Sequence, residues 1–103
     1  AVVKAYKAAK DSPNGDSAIN AALKSATNVP LGVAERSAEV GRITASLKSI
    51  TNPRMASDLI VAVALSRAAV EGALANVEIN LESLSDQEFI GETRRKSEAL
   101  KSA

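Results

Sequence analysis

The chain has neither cysteine nor histidine among its 103 residues. Disulfides, thiolate or imidazole metal sites, and Ser-His or Cys-His catalysis are therefore excluded, and no metal is expected. Aromatic residues are almost as scarce: Tyr6 and Phe89 stand alone, too few to stack bases. Nor does one sign of charge prevail. Thirteen Lys and Arg face twelve Asp and Glu, a net +1, which gives no electrostatic case for nucleic acid or an anionic membrane. The longest uncharged run, Ser25 to Ala34, falls far short of the ~20 apolar residues of a membrane span. The first ten residues, AVVKAYKAAK, lack a signal-peptide core, so a cytoplasmic location is expected. Chemistry is left to carboxylates, lysines, Tyr6, hydroxyls, amides and bound water.

What is present favours helix. Twenty residues are alanine, the best helix former and one that lets backbones approach closely. The length suits one domain. Residues 1–10 read as a helix already in progress, followed by a turn at Asp11-Ser12-Pro13-Asn14-Gly15. A second helix is expected from Asp16 or Ser17, either of which can cap it. Ile19, Leu23, Ala26, Val33, Val40, Ile43, Leu47 and Ile50 continue it at spacings of three, four and seven. Pro30 removes a backbone donor within that run, so a kink or short break is expected at Asn28-Val29-Pro30. Asn52 as cap with Pro53 behind it starts a third helix, Pro53 to Glu82, the most apolar stretch. Ser85 and Glu88 have the spacing of a capping box for a last helix, Asp86 to about Lys101. No segment alternates as a strand does. The expected fold is all-α, an antiparallel helical bundle.

The third helix carries the informative polar residues. With Asp58 at zero and ~100° per residue, Arg67, Glu71 and Glu78 fall at about 180°, 220° and 200°. They form one charged stripe, with Arg67 and Glu71 spaced for an i,i+4 pair. Asn76 returns to the Asp58 side and Asn80 lies about 40° away, along a stripe of Ala62, Ala69 and Ala73 beside Leu65 and Gly72. If the charged stripe faces water, Asp58, Asn76 and Asn80 face the interior. Two readings follow. Either these are satisfied polar groups tying helices together, or they line a cavity and act on a substrate; the first is favoured by position alone. Asp58 carries more weight for the second, because a buried unpaired carboxylate is costly. Arg54, in the first turn of this same helix, is available to hold an anionic group, though a solvated arginine is the favoured reading. The Arg94-Arg95-Lys96 run reads as a solvated face, and Asp86 and Glu88 as capping residues.

Two segments resemble a known family. Ala21-Ala22-Leu23-Lys24-Ser25-Ala26-Thr27-Asn28-Val29-Pro30-Leu31 is similar to the "A…AT-x-V-P-L" segment of the formiminotransferase-cyclodeaminase family. Ser57-Asp58, then Asn76-Val77-Glu78-Ile79-Asn80 and Leu84-Ser85-Asp86-Gln87-Glu88-Phe89, resembles its "SD…NV-x-(I/V)-N…L-x-D-x-x-F" signature. The resemblance covers essentially the whole chain, residues 1–103. Family members begin with further helices and a Gly-rich "GGG" stretch that are not in this sequence, so the chain looks like the C-terminal portion of a larger helical domain.

The resemblance implies a dimer, or association with the missing N-terminal helices, and a cleft that binds a tetrahydrofolate derivative as substrate. It implies either cyclodeamination of formiminotetrahydrofolate with release of ammonia or hydrolysis of methenyltetrahydrofolate. Both need only proton transfers at a one-carbon centre. Asp58 is assigned to proton transfer or pterin contact, and Asn76 and Asn80 to orienting the substrate. Arg54, Lys24 or Arg36 is available for the glutamate tail. The competing hypothesis is a non-catalytic helical module that packs against partner helices.

Overall fold

A computed structural model describes residues 15–102 of the chain. The expected helix over residues 1–10 and most of the turn after it lie outside the described residues. Helix α1 spans Gly15–Ser46, α2 spans Ala56–Glu82 and α3 spans Gln87–Lys101. Short 3-10 turns, Leu47–Ser49 and Pro53–Met55, carry the chain from α1 to α2. No strand occurs among the described residues. The all-α expectation holds. Asp16 and Ser17 both lie inside α1, so neither is its cap.

Helices α1 and α2 form a long antiparallel hairpin, as two cross-pairs establish. Ala26 meets Asn80, and Gly41 meets Ser66 farther along. The close approach at Gly41 needs a missing side chain, since a Cβ there would sit 2.7 Å from the Ser66 hydroxyl oxygen. Asn52 caps the second 3-10 turn as anticipated: its side-chain oxygen accepts from the Arg54 amide at 3.0 Å, with Pro53 next in line.

Helix α3 folds back along the same end of the hairpin. Its cap differs from the anticipated box. Asp86, not Ser85, accepts from the Phe89 amide, at 3.1 Å. The physical reason lies in α1: the Lys24 ammonium donates to the other Asp86 oxygen at 2.5 Å and sits 5.6 Å from the Phe89 ring centre. Lys24 thus orients the carboxylate that caps α3. Ser85 instead donates to the Asn20 side chain, at 3.4 Å.

The core occupies one end only. Leu23, Leu31, Ala34 and Ala38 of α1 meet Val70, Ala73, Leu74, Val77 and Leu81 of α2, with Leu84 and Ile90 closing the third side. No residue between 39 and 69 is buried. Instead Val40, Ile43, Ile50, Ile60, Val61 and Leu65 are exposed there. The shape agrees with this: the radius of gyration is 17.9 Å, against ~13 Å for a compact domain of this length. Likewise 7002 Å² of surface is exposed, where a compact monomer of this mass exposes about 5500 Å². By length and composition Pro53–Glu82 could cross a membrane. Asp58, Arg67, Glu71 and Asn76 along it are residue types that are costly against lipid.

Candidate functional site

The expected break at Pro30 does not occur, because α1 runs through it without interruption. Proline at position 30 has no N–H to offer the carbonyl of Ala26, four residues back. That carbonyl is claimed from outside the helix: Asn80 Nδ2 of α2 donates to the Ala26 oxygen at 3.2 Å. A side-chain amide on one helix replaces the donor that proline removes from its neighbour. One turn earlier Thr27, fully buried, donates its hydroxyl to the Leu23 carbonyl at 2.7 Å. The amide bond ties the bend-prone stretch to α2, while the hydroxyl bond stays within α1.

Beside this junction lies an open groove of about 540 Å³, lined by Ala26, Val29, Pro30, Val33, Asn76 and Asn80 among others. Its walls are mostly apolar. Asn76 stands at its edge, exposed and without a side-chain hydrogen bond among the described residues. The two amides, one turn apart, therefore differ in role. Asn80 is half-buried and committed to Ala26; Asn76 keeps its full complement of two donors and two acceptor sites.

The expected interior placement is corrected for Asp58 and Asn76 and holds in part for Asn80. Helix α2 buries neither the charged stripe nor its opposite, but the face between them, that of Val70, Ala73, Val77 and Leu81. Asp58 and Asn76 are exposed in consequence, and only Asn80 turns partly inward. Asp58 also lies far from the amides. Eighteen residues along one helix is roughly 27 Å, so a shared azimuth does not make a shared site. Arg54 is exposed beyond that same far end. Of the four residues expected to line one site, the fold brings together Asn76 and Asn80.

Other charged expectations also resolve. Arg67 and Glu71 do not pair; the pairs among the described residues are Lys24–Asp86, Arg94–Glu78 at 2.6 Å and Lys101–Glu98 at 3.1 Å. Arg94 thus ties α3 to α2. Lys24, offered for the glutamate tail, is engaged with Asp86 instead. No cluster of three carboxylates able to hold a metal occurs among the described residues. The residues that sequence reasoning missed are Pro30 and Ala26, as partners of Asn80. The available signal was the proline itself, whose lost bond always leaves the carbonyl four residues back in need of a donor.

The two segments that make this junction, around Pro30 and around Asn80, define a paired-helix scaffold with an amide-edged groove. They are also the segments that carry the family resemblance. The formiminotransferase-cyclodeaminase family profile matches residues 1–99. The chain therefore belongs to the formiminotransferase-cyclodeaminase family. It is 34% identical to formimidoyltransferase-cyclodeaminase of Sus scrofa over 97% of its own length. It spans only 19% of that relative's length. No solved structure matches it.

Proposed function

We propose that the chain is part of a folate-processing domain of one-carbon metabolism and that its groove between α1 and α2 contributes the pterin-binding wall. The observation that carries this reading is the free amide of Asn76 at the edge of an apolar groove, in a member of this family. A pterin is a flat ring with alternating donors and acceptors along one edge. An apolar wall takes its face and an amide reads its edge. The reaction is cyclodeamination of formiminotetrahydrofolate or hydrolysis of methenyltetrahydrofolate, with a carboxylate moving the protons.

Asp58 is the carboxylate assigned to that step, and its distance from Asn76 sets a condition on it. Within one chain the two cannot serve one carbon atom. Val61, Leu65, Ala69 and Gly72 form a bare stripe between them, free of charge. Antiparallel pairing of two copies of α2 through Leu65 and Ala69 would set Asp58 of one copy near Asn76 of the other. The site would then exist only in a homodimer. The alternative cover is the set of helices that precede this segment in longer family members.

The test is ligand protection. Methenyltetrahydrofolate at one hundred times its dissociation constant should raise stability by about 2.7 kcal/mol. Asn76→Ala should abolish most of that gain and leave unliganded stability within about 0.5 kcal/mol, since Asn76 is exposed. Leu65→Asp separates the two arrangements of Asp58: loss of both self-association and turnover supports the dimeric site. No protection of the wild-type chain by any folate would leave the non-catalytic packing module as the better reading.

A further inference from the structure

A second hollow, unconnected with the amide groove, lies where the third helix ends. It has a volume of about 260 Å³ and is walled by α1, α2 and the last turn of α3. Ala38, Gly41, Val63 and Val70 make its apolar floor, and Ser37 and Ser66 add hydroxyls. Arg42 comes from α1, Arg67 from α2 and Lys101 from α3, with Glu71 as the carboxylate on the same wall. Lys101 is already engaged by Glu98 and answers the carbonyl end of its own helix. Arg42 and Arg67 have no carboxylate at ion-pair distance and no side-chain hydrogen bond among the described residues.

Arg42 and Arg67, both exposed, come from different helices and line one apolar-floored cavity, so two like charges on one wall favour an anion beside them. A planar fork of donors on each suits the paired oxygens of phosphate or carboxylate. The floor strengthens the attraction by keeping part of the high-dielectric solvent away. Gly41 lets α1 and α2 approach closely at this floor, since a Cβ there would sit 2.7 Å from the Ser66 hydroxyl oxygen. The volume, about 260 Å³, is below that of drug-sized ligand sites and suits one oxyanion group rather than a whole cofactor.

We infer that Arg42 and Arg67 form a binding site for a single oxyanion group, phosphate or carboxylate, at the end of the three-helix core. The site uses none of the residues assigned to the folate groove, so its failure and that of the groove are separate results.

Arginine modification by phenylglyoxal, located by mass spectrometry on the wild-type chain, tests it at constant ionic strength in chloride. Inorganic phosphate and glutarate are the two probes. At ten times the dissociation constant, the modification rates of Arg42 and Arg67 should fall roughly tenfold. Arg36, Arg54 and Arg95 serve as internal references and should not change. Protection by one probe alone assigns the oxyanion as phosphate or as carboxylate, and protection by both assigns the shared chemistry. Arg67→Gln should remove the protection of Arg42, and Glu71→Gln should lower the concentration needed for protection below that of the wild-type chain. Uniform protection of all arginines, or none at Arg42 and Arg67 with either probe, overturns the proposal.

Discussion

The two ends of the hairpin have nearly the same composition and opposite fates. Where α3 lies across it, Leu23, Leu31, Val77 and Leu81 are buried. Where α3 does not reach, Val40, Ile43, Ile60 and Leu65 stay more than half exposed. Two helices in contact share one narrow seam, and each keeps most of its circumference in water. A third helix closes the triangle and turns a seam into a core. The difference is therefore one of coverage rather than hydrophobicity. At 15 residues, α3 is roughly 22 Å long, against roughly 48 Å for α1. The apolar residues beyond its reach stay uncovered among the described residues.

Substitutions at the two ends sharpen this contrast. Leu81→Ala, at 2% exposure, should cost about 2–5 kcal/mol by urea unfolding. Ile60→Ala, at 63% exposure, should stay within about 0.5 kcal/mol in the single chain. Equal losses at the two sites would mean that the far end is covered in solution. Gly72→Ala has a smaller effect and the opposite sign. A Cβ at Gly72 meets nothing within 4 Å, so the helix should gain about 0.5–1 kcal/mol. If a second copy packs on that stripe, the same substitution should weaken self-association while it raises chain stability. Thermal unfolding at two protein concentrations separates the two effects.

The smallest effect belongs to the Lys24–Asp86 pair that seats α3. The Lys24 hydrogen bond, then the Phe89 amide, hold the Asp86 carboxyl below its ordinary value of 3.8. A folded-state value below the unfolded one contributes stability that is present above the unfolded pKa. It is lost as pH falls through the depressed value. The core end should therefore loosen on acidification below the ordinary carboxylate range, and Lys24→Met should flatten that dependence. Tryptic cleavage is blocked at acid pH, so hydrogen exchange of the α3 amides is the suitable readout. Unchanged protection of the α3 amides, each rate taken relative to the unstructured rate at that pH, would remove the pair from the seating of α3.

Most of the architecture could be read from the residues. Asn52-Pro53 announced the start of the α2 unit, the spacing of apolar residues announced α1, and the end near Lys101 was met to the residue. Two points were not legible, and for physical reasons. Helical azimuth told which residues share a side of α2, but not which of three available faces is buried; that depends on where α1 and α3 attach. Azimuth alone groups Asp58 with Asn76, whereas the five turns between them, legible in their 18-residue spacing, keep them apart. At Pro30 the local rule was sound and its conclusion was not. Proline does remove the bond, but the break is avoided because the replacement donor, Asn80, comes from 50 residues away in sequence. Local propensity has no access to such a partner.

That replacement is the feature that ties the two family segments into one structure, and a double-mutant cycle between positions 30 and 80 measures it. Asn80→Ala alone should cost about 1–3 kcal/mol, because it leaves the Ala26 carbonyl without a donor. In a Pro30→Ala background the helix supplies its own N–H to Ala26, and the same substitution should cost no more than about 0.5 kcal/mol. Urea unfolding of the four proteins gives the coupling. A strong positive coupling is the expected result. Strictly additive costs would mean that Asn80 does not stand in for the bond lost at Pro30.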